Sequence, residues 1–259
     1  MVQTDAGKQP PVILLHGYPF DRSMWSEQID FLNAHGYRAV APDLLGPNET
    51  VTLIDASQTI STMTEMAGGV AASMDDLKID EAVICGLSMG GYVAFEFMHL
   101  FPERVRALIL AGTRAPADNE LEKQGRSEQV EQMLAEGIRG IAEGSLRKLL
   151  SRRTLAEKPE VVARLREMIL RADPQGAAAA QRGMATRRDY TADLATIDVP
   201  TLVIVGRDDP IRPIADAEFM HERIRGSSLE IVEDAAHMTN MEQPEEFNLA
   251  LLNFLKVLH

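Results

Sequence analysis

The residues most able to do chemistry sit in one short run, Gly86-Leu87-Ser88-Met89-Gly90, in which a serine stands between two glycines. A hydroxyl is a weak nucleophile until a base within hydrogen-bond reach takes its proton, and that base in turn needs a carboxylate to orient it. The run follows an apolar segment, Ala82 to Cys85, and opens another that begins near Met89. A serine on a sharp strand-to-helix turn is lifted out of the backbone, and glycines on either side let strand and helix approach closely. The helix N-terminus adds a positive dipole beside any developing oxyanion. Ser88 is therefore the expected nucleophile.

Six histidines compete for the role of base. His16 lies in the loop after the first apolar run. His35, His99 and His221 fall in or at the ends of amphipathic segments, and His259 is the terminal residue. His237 follows the strand-like segment Leu229–Val232 and precedes the final helical segment, so it is expected on the same rim as Ser88. For the orienting carboxylate, Asp208 and Asp209 both follow the run Thr201–Val205 and the turn residue Gly206. Strand-end position alone leaves the two open. In a site of this kind the oxyanion is held by two backbone N–H groups, one from the residue after the nucleophile and one from a loop after an early strand. These are Met89 and, in the run His16-Gly17-Tyr18-Pro19, Tyr18.

The elements that must position these residues alternate. Val12–Leu15, Tyr37–Ala41, Ala82–Cys85, Val105–Leu110, Thr201–Val205 and Leu229–Val232 read as strands. Between and after them, Ser26–His35, Thr59–Met74, Met89–Leu100, Ala215–Ile224 and Pro244–Leu258 read as helices. Such alternation implies a parallel sheet with helices on both faces. It stops near Pro116. Residues 119–189 read as helical throughout, with helical spacing over Val130–Ile141 and Val161–Ile169 and a strong helix former in Ala177–Ala180. The expected organisation is a core of residues 1–115 and 190–259 with a helical cap of residues 116–189. An insertion of that length is no connecting loop, and it is placed to roof the cleft at the strand ends.

Composition narrows the partners. The chain has 259 residues and a net charge of -13, which argues against nucleic acid, whose phosphates it would repel. The charge is uneven: residues 116–189 hold 14 basic against 12 acidic residues, the remainder 12 against 27. Cys85 is the only cysteine, so no intrachain disulfide forms, in keeping with a reducing, cytoplasmic setting. The segment Met1–Pro11 lacks a signal peptide's apolar stretch, and no window approaches the about 18 apolar residues that span a bilayer. No Cys/His cluster has metal spacing and no loop cradles phosphate, so neither metal nor cofactor is expected.

With these residues in hand, the sequence resembles the α/β-hydrolase family, and within it the small bacterial esterase, enol-lactone hydrolase and non-haem haloperoxidase-like group. The stretches that carry the resemblance are HGYPFDRSMW (16–25), APDLLG (41–46), GLSMGG (86–91), RRDYTADLATIDVPTLVIVGRDDPIRP (187–213) and AHMTNMEQPEEF (236–247). It implies a mostly parallel, eight-stranded sheet with helices on both faces and a helical cap. It places the acid three residues after the glycine, which selects Asp209 and makes Asp208 a solvated turn residue. It supports His237 by position. Two departures stand out. Ala236 precedes the histidine where the family usually has glycine, and Leu44-Leu45-Gly46-Pro47-Asn48 replaces the usual basic residue and second glycine turn. A serine nucleophile argues against the dehalogenase and epoxide hydrolase members, whose chemistry needs a carboxylate.

The expected activity is hydrolysis of small carboxylic esters through an acyl-enzyme. One alternative is an enol-lactone hydrolase of the 3-oxoadipate type, acting on an anionic lactone, with Arg152, Arg153, Arg182, Arg187 and Arg188 as candidate carboxylate ligands. A second is a slow-turnover signalling protein that keeps the triad and binds a ligand. Trp25 is read either as an acyl-pocket wall or as core. Met133, Met168 and Met184 are read as core filling or as a pliable pocket lining.

Overall fold

The computed structural model describes residues 9–44 and 59–258. Its centre is a sheet of β1 (Val12–Leu15), β2 (Ala39–Val40), β3 (Ala82–Leu87), β4 (Val105–Ala111), β5 (Thr201–Gly206) and β6 (Ser228–Val232). Every pairing is parallel, and the order across the sheet is β2-β1-β3-β4-β5-β6. The six segments read as strands are thus the six strands of the sheet. The eight strands implied by the resemblance are not met among the described residues, which hold six. The second run is also shorter than expected, since only Ala39 and Val40 pair with β1.

β3 is buried at all six positions, as a central strand covered on both faces must be. Alternate residues feed two cores. Leu14, Val83, Cys85 and Ile109 point to one, which is closed by Leu32 of α1 (Ser26–Ala34) and by Phe247 and Leu251 of α11 (Pro244–Lys256). Ile13, Ile84, Leu108 and Leu110 point to the other, against Met66 and Val70 of α2 (Met63–Asp76), Val93 of α3 (Met89–Leu100) and Met220 of α9 (Ile214–Arg223). Trp25 belongs to the first core: it is fully buried, its ring centroid 5.9 Å from that of Phe247. Core, rather than pocket wall, is its place.

Between β4 and β5 the chain runs through α4 (Glu120–Glu136), α5 (Arg139–Leu149), α6 (Arg152–Glu157), α7 (Pro159–Arg171) and α8 (Pro174–Ala185). The helical spacing over 130–141 spans two helices instead of one, because Gly137 at φ +74° ends α4 in a conformation that costs a residue with a Cβ. Asn119 with Glu122 forms a capping box at the start of α4, and Ser151 and Asp173 cap α6 and α8. Of the unusual loop 44–48, only Leu44 falls among the described residues; the expectations for 45–48 and for His259 lie outside them.

Candidate active site

All the expected site residues fall at the carboxyl ends of strands, where open α/β sheets form their clefts. Ser88 joins β3 to α3 at φ 57°, ψ -113°. This is strained backbone for a residue with a side chain. It is held by the Ser88 N–H donating to Ala111 O at 2.9 Å and by the Thr113 hydroxyl donating to Ser88 O at 2.9 Å. The turn leaves no space for larger neighbours: a Cβ on Gly86 would sit 2.2 Å from Gly90 O, and one on Gly90 would sit 2.1 Å from Leu15 O. Those close approaches are why glycine recurs in the motif.

His237 follows β6 and is buried. Its Nδ1 lies 2.7 Å from Oδ2 of Asp209, itself buried in the loop after β5. Because Nδ1 is engaged with the carboxylate, Nε2 is the ring nitrogen left for another partner. Asp208 is exposed, and its N–H merely ties the two loops by donating to Ala235 O at 2.9 Å. Ala236, which stands where glycine was expected, does not have a positive φ, so its methyl is accommodated without strain. His16 is fully buried on the other side of the cleft. Its Nε2 accepts from the Leu44 N–H at 2.8 Å, so the ring proton sits on Nδ1, 2.9 Å from Gly17 O, and burial holds the ring's pKa below its ordinary value.

Ser88 and His237 face one cavity of about 330 Å³, also lined by Tyr18 from the loop after β1. The N–H groups of Tyr18 and Met89 donate to no backbone acceptor among the described residues, which leaves both free at this end of the sheet. The cap helices supply part of the wall, with Arg126 from α4, Lys148 and Leu149 from α5, and Gln181 and Met184 from α8; Tyr92 of α3 and Ile211 and Arg212 after β5 line it too. Met184 is thus a pocket residue, whereas Met133 and Met168 are core.

The cavity's charge comes from residues the sequence did not single out. Asp118, buried, takes Arg114, Arg126 and Arg187; burial alone would raise its carboxyl, but the bonds and charges of Arg126 and Arg187 hold it at about 2. Arg114 also pairs with Glu122 at 2.7 Å. Arg212, from the loop after β5, pairs with no carboxylate among the described residues; it donates to Ile211 O at 2.7 Å and to the Tyr92 hydroxyl. Tyr92 is fully buried one helical turn after Ser88. Burial would raise its phenol, but the fields of Arg212, Arg187 and Arg126 bring it below its ordinary value. Lys148 likewise has no acidic partner among the described residues. The wall therefore carries more guanidinium and ammonium than carboxylate, in a chain whose net charge is -13.

Of the five cap arginines proposed as substrate ligands, none lines this cavity. Arg187 is buried against Asp118 and lies 4.1 Å from the Tyr92 ring centroid; Arg188 pairs with Asp193, Arg153 with Glu157 and Asp234, and Arg182 donates to Thr59 O. Arg152 is exposed. The cavity cations are Arg126, Lys148 and Arg212 instead. Tyr92 was legible by its spacing of four from Ser88, which puts both on one helix side. Nothing in the local sequence distinguishes Arg126. Among the described residues, no group of His, Cys, Asp and Glu is arranged to hold a metal ion. No helix among them is long and apolar enough to cross a membrane.

Comparison with known proteins agrees with this architecture. Residues 10–244 match the model of the alpha/beta hydrolase fold family. The chain is 29% identical over 248 residues to 3-oxoadipate enol-lactonase 2 of Acinetobacter baylyi, covering 96% of this chain and 89% of that one. Among solved structures it is similar to a thermophilic esterase from Thermogutta terrifontis, described as malate bound, with a TM-score of 0.90 and 39% identity over 98% of this chain and 92% of that one. It is also similar to the enol-lactonase from Burkholderia xenovorans, with a TM-score of 0.83 and 26% identity over 97% and 93% of the two chains. A parallel sheet that carries a strained serine turn in this order, and a family match over nearly its whole length, lead to one conclusion: the chain belongs to the α/β-hydrolase fold family.

Proposed function

We propose that this protein is a serine hydrolase of small carboxylic esters, open-chain or cyclic. The observation that carries the reading is the buried His237–Asp209 contact of 2.7 Å on the same cavity as the strained Ser88 turn. In this reading His237 Nε2 takes the Ser88 proton as Oγ attacks the carbonyl carbon. The tetrahedral oxyanion is held by the Tyr18 and Met89 N–H groups. The imidazolium then protonates the departing alkoxide or enolate, leaving an acyl-serine. Water attacks this ester, again giving its proton to His237, and Ser88 Oγ departs with that proton as the acid is released. Asp209 holds the ring in the tautomer with Nδ1 protonated and stabilises its charged form. The division into a core of residues 1–115 and 190–259 and a cap of 116–189 belongs to the same proposal, supported by the helical run between β4 and β5 and its share of the cavity wall. So does a cytoplasmic setting, supported by the single, buried Cys85, whose thiol burial pushes up out of the reactive range.

A second reading narrows the substrate to an ester or lactone that bears a carboxylate. It is supported by Arg212 and Lys148, which line the cavity without carboxylate partners among the described residues. The enol-lactonase relatives point the same way. The test is turnover of a p-nitrophenyl acetate and butyrate panel and of lactones with and without a carboxylate, by the wild-type protein and by Ser88→Ala. Loss of turnover in the variant is expected; equal rates would overturn the reading.

A further inference from the structure

Glu242 is fully buried in α10 (Thr239–Glu242), the short helix after His237, yet no arginine or lysine pairs with its carboxylate among the described residues. Both oxygens accept from backbone instead. Oε1 takes the Ala236 N–H at 2.8 Å, and Oε2 takes the Ser151 N–H at 2.7 Å. Burying a carboxylate is costly, and two N–H bonds are the compensation it receives here. Ala236 is the residue before His237. Ser151 begins α6 in the cap, two residues after Leu149, whose carbonyl accepts from the His237 and Met238 N–H groups at 3.1 and 3.2 Å.

These bonds close a ring. The segment 149–151 of the cap holds the segment 236–238 directly through Leu149 O, and again through the side chain of Glu242. His237 has a covalent neighbour on each side whose N–H is fixed by this ring, while its own Nδ1 is fixed by Asp209. Lys148 and Leu149, at the other side of the same joint, line the substrate cavity. A carboxylate suits the place because it offers an acceptor to each of two N–H donors; an amide of the same shape offers one acceptor and turns a donor toward the other N–H.

We propose that Glu242 is a positioning residue for the base: it sets the Ala236 peptide, and with it the His237 ring, relative to the cap wall that holds the substrate. This rests on the reading of His237 as base, and displacing a base by even about 1 Å can cost about a hundredfold in rate. The effect belongs in kcat, because the residue touches no part of the cavity.

Glu242→Gln tests it, by steady-state kinetics on p-nitrophenyl butyrate, by the low-field proton resonance of His237 Nδ1–H, and by circular dichroism. The expected result is a folded protein whose kcat falls about tenfold or more, whose KM stays within about twofold, and whose resonance moves or broadens. A folded variant with kcat unchanged and the resonance in place would overturn the proposal, as would a rise in KM alone. If the variant does not fold, amide exchange in the wild-type protein decides: Ala236 and Ser151 N–H are expected to exchange slowly and together, and free exchange at Ala236 would overturn the ring. The resonance and exchange readouts do not need turnover. A Ser88→Ala protein that still hydrolyses esters would therefore sink the acyl-transfer reading without deciding this one.

Discussion

Asp209 divides its two carboxylate oxygens between His237 and its own loop: Oδ2 lies 2.7 Å from His237 Nδ1, while Oδ1 accepts from the Ile211 and Arg212 N–H groups at 2.8 and 2.9 Å. The loop bonds keep the carboxylate aimed at the imidazole, the arrangement that the proposed mechanism requires.

Asp209→Asn separates these two duties. The amide oxygen can keep the Ile211 and Arg212 bonds, while its NH₂ group meets Nδ1 and favours the wrong tautomer. Thermal unfolding is expected to change little. kcat on p-nitrophenyl butyrate is expected to fall about 10³–10⁴-fold, the range seen when a triad carboxylate is neutralised in place. A loss below tenfold in a folded variant would argue against the assigned role.

Gly112 follows β4 at φ +48°, with the position of a Cβ 3.4 Å from His237 Nδ1 and 3.5 Å from Asp209 Oδ2. The space is ordinary van der Waals contact; the backbone conformation is not. Gly112→Ala should therefore cost about 1–2 kcal/mol of stability, read as a lower Tm, with kcat reduced less than about tenfold. A Tm equal to the wild type's would show that the left-handed conformation carries no strain here.

Arg212→Gln removes a cavity cation while leaving the Arg212 N–H bond to Asp209 intact. KM for a carboxylate-bearing lactone or ester should rise about 10–100-fold, and KM for the matched neutral ester should stay within about threefold. The wild-type kcat/KM for the anionic substrate should also fall with added salt, since screening weakens the cavity's attraction. Equal effects on both substrates would remove the support for the anionic reading.

Asp118 links folding to pH. Its carboxyl is held at about 2, against an ordinary value of 3.8. A depressed folded-state value contributes stability that is full above the unfolded value and is lost as pH falls through the folded one. Asp118→Asn should then be less stable than wild type at pH 7 by about 2 kcal/mol. Urea denaturation should show that gap narrowing between about pH 4 and pH 2. A gap independent of pH would assign the effect to packing.

The strand-to-helix turn at Ser88 was legible because it is local. The strand, the flanking glycines and the helix start of 82–100 lie within one stretch of chain, and their steric demands (Gly86 against Gly90 O, Gly90 against Leu15 O) follow from that geometry. β1, β3 and β5 were legible for a related reason: a parallel strand buried on both faces is written as an unbroken apolar run. The break at Gly137 was not, since helical spacing continues across it.

What only the tertiary structure decided is which side chains from distant segments meet. The sequence by itself placed Ser88, His237 and the Asp208–Asp209 pair at strand ends; packing buried Asp209 beside the histidine and left Asp208 in solvent. The sequence offered a cap rich in arginine but could not say where each guanidinium points. Asp118 drew Arg187 into the interior, and the cavity was left to Arg126, Lys148 and Arg212. Glu242 stood in the sequence only as one position of the stretch 236–247 until the fold brought Ala236 and Ser151, 91 residues from it in the case of Ser151, to its two oxygens. Chain periodicity dictates which face a residue occupies, but a polar side chain's partner is chosen by whichever donors and charges the packed elements bring within about 3 Å of it.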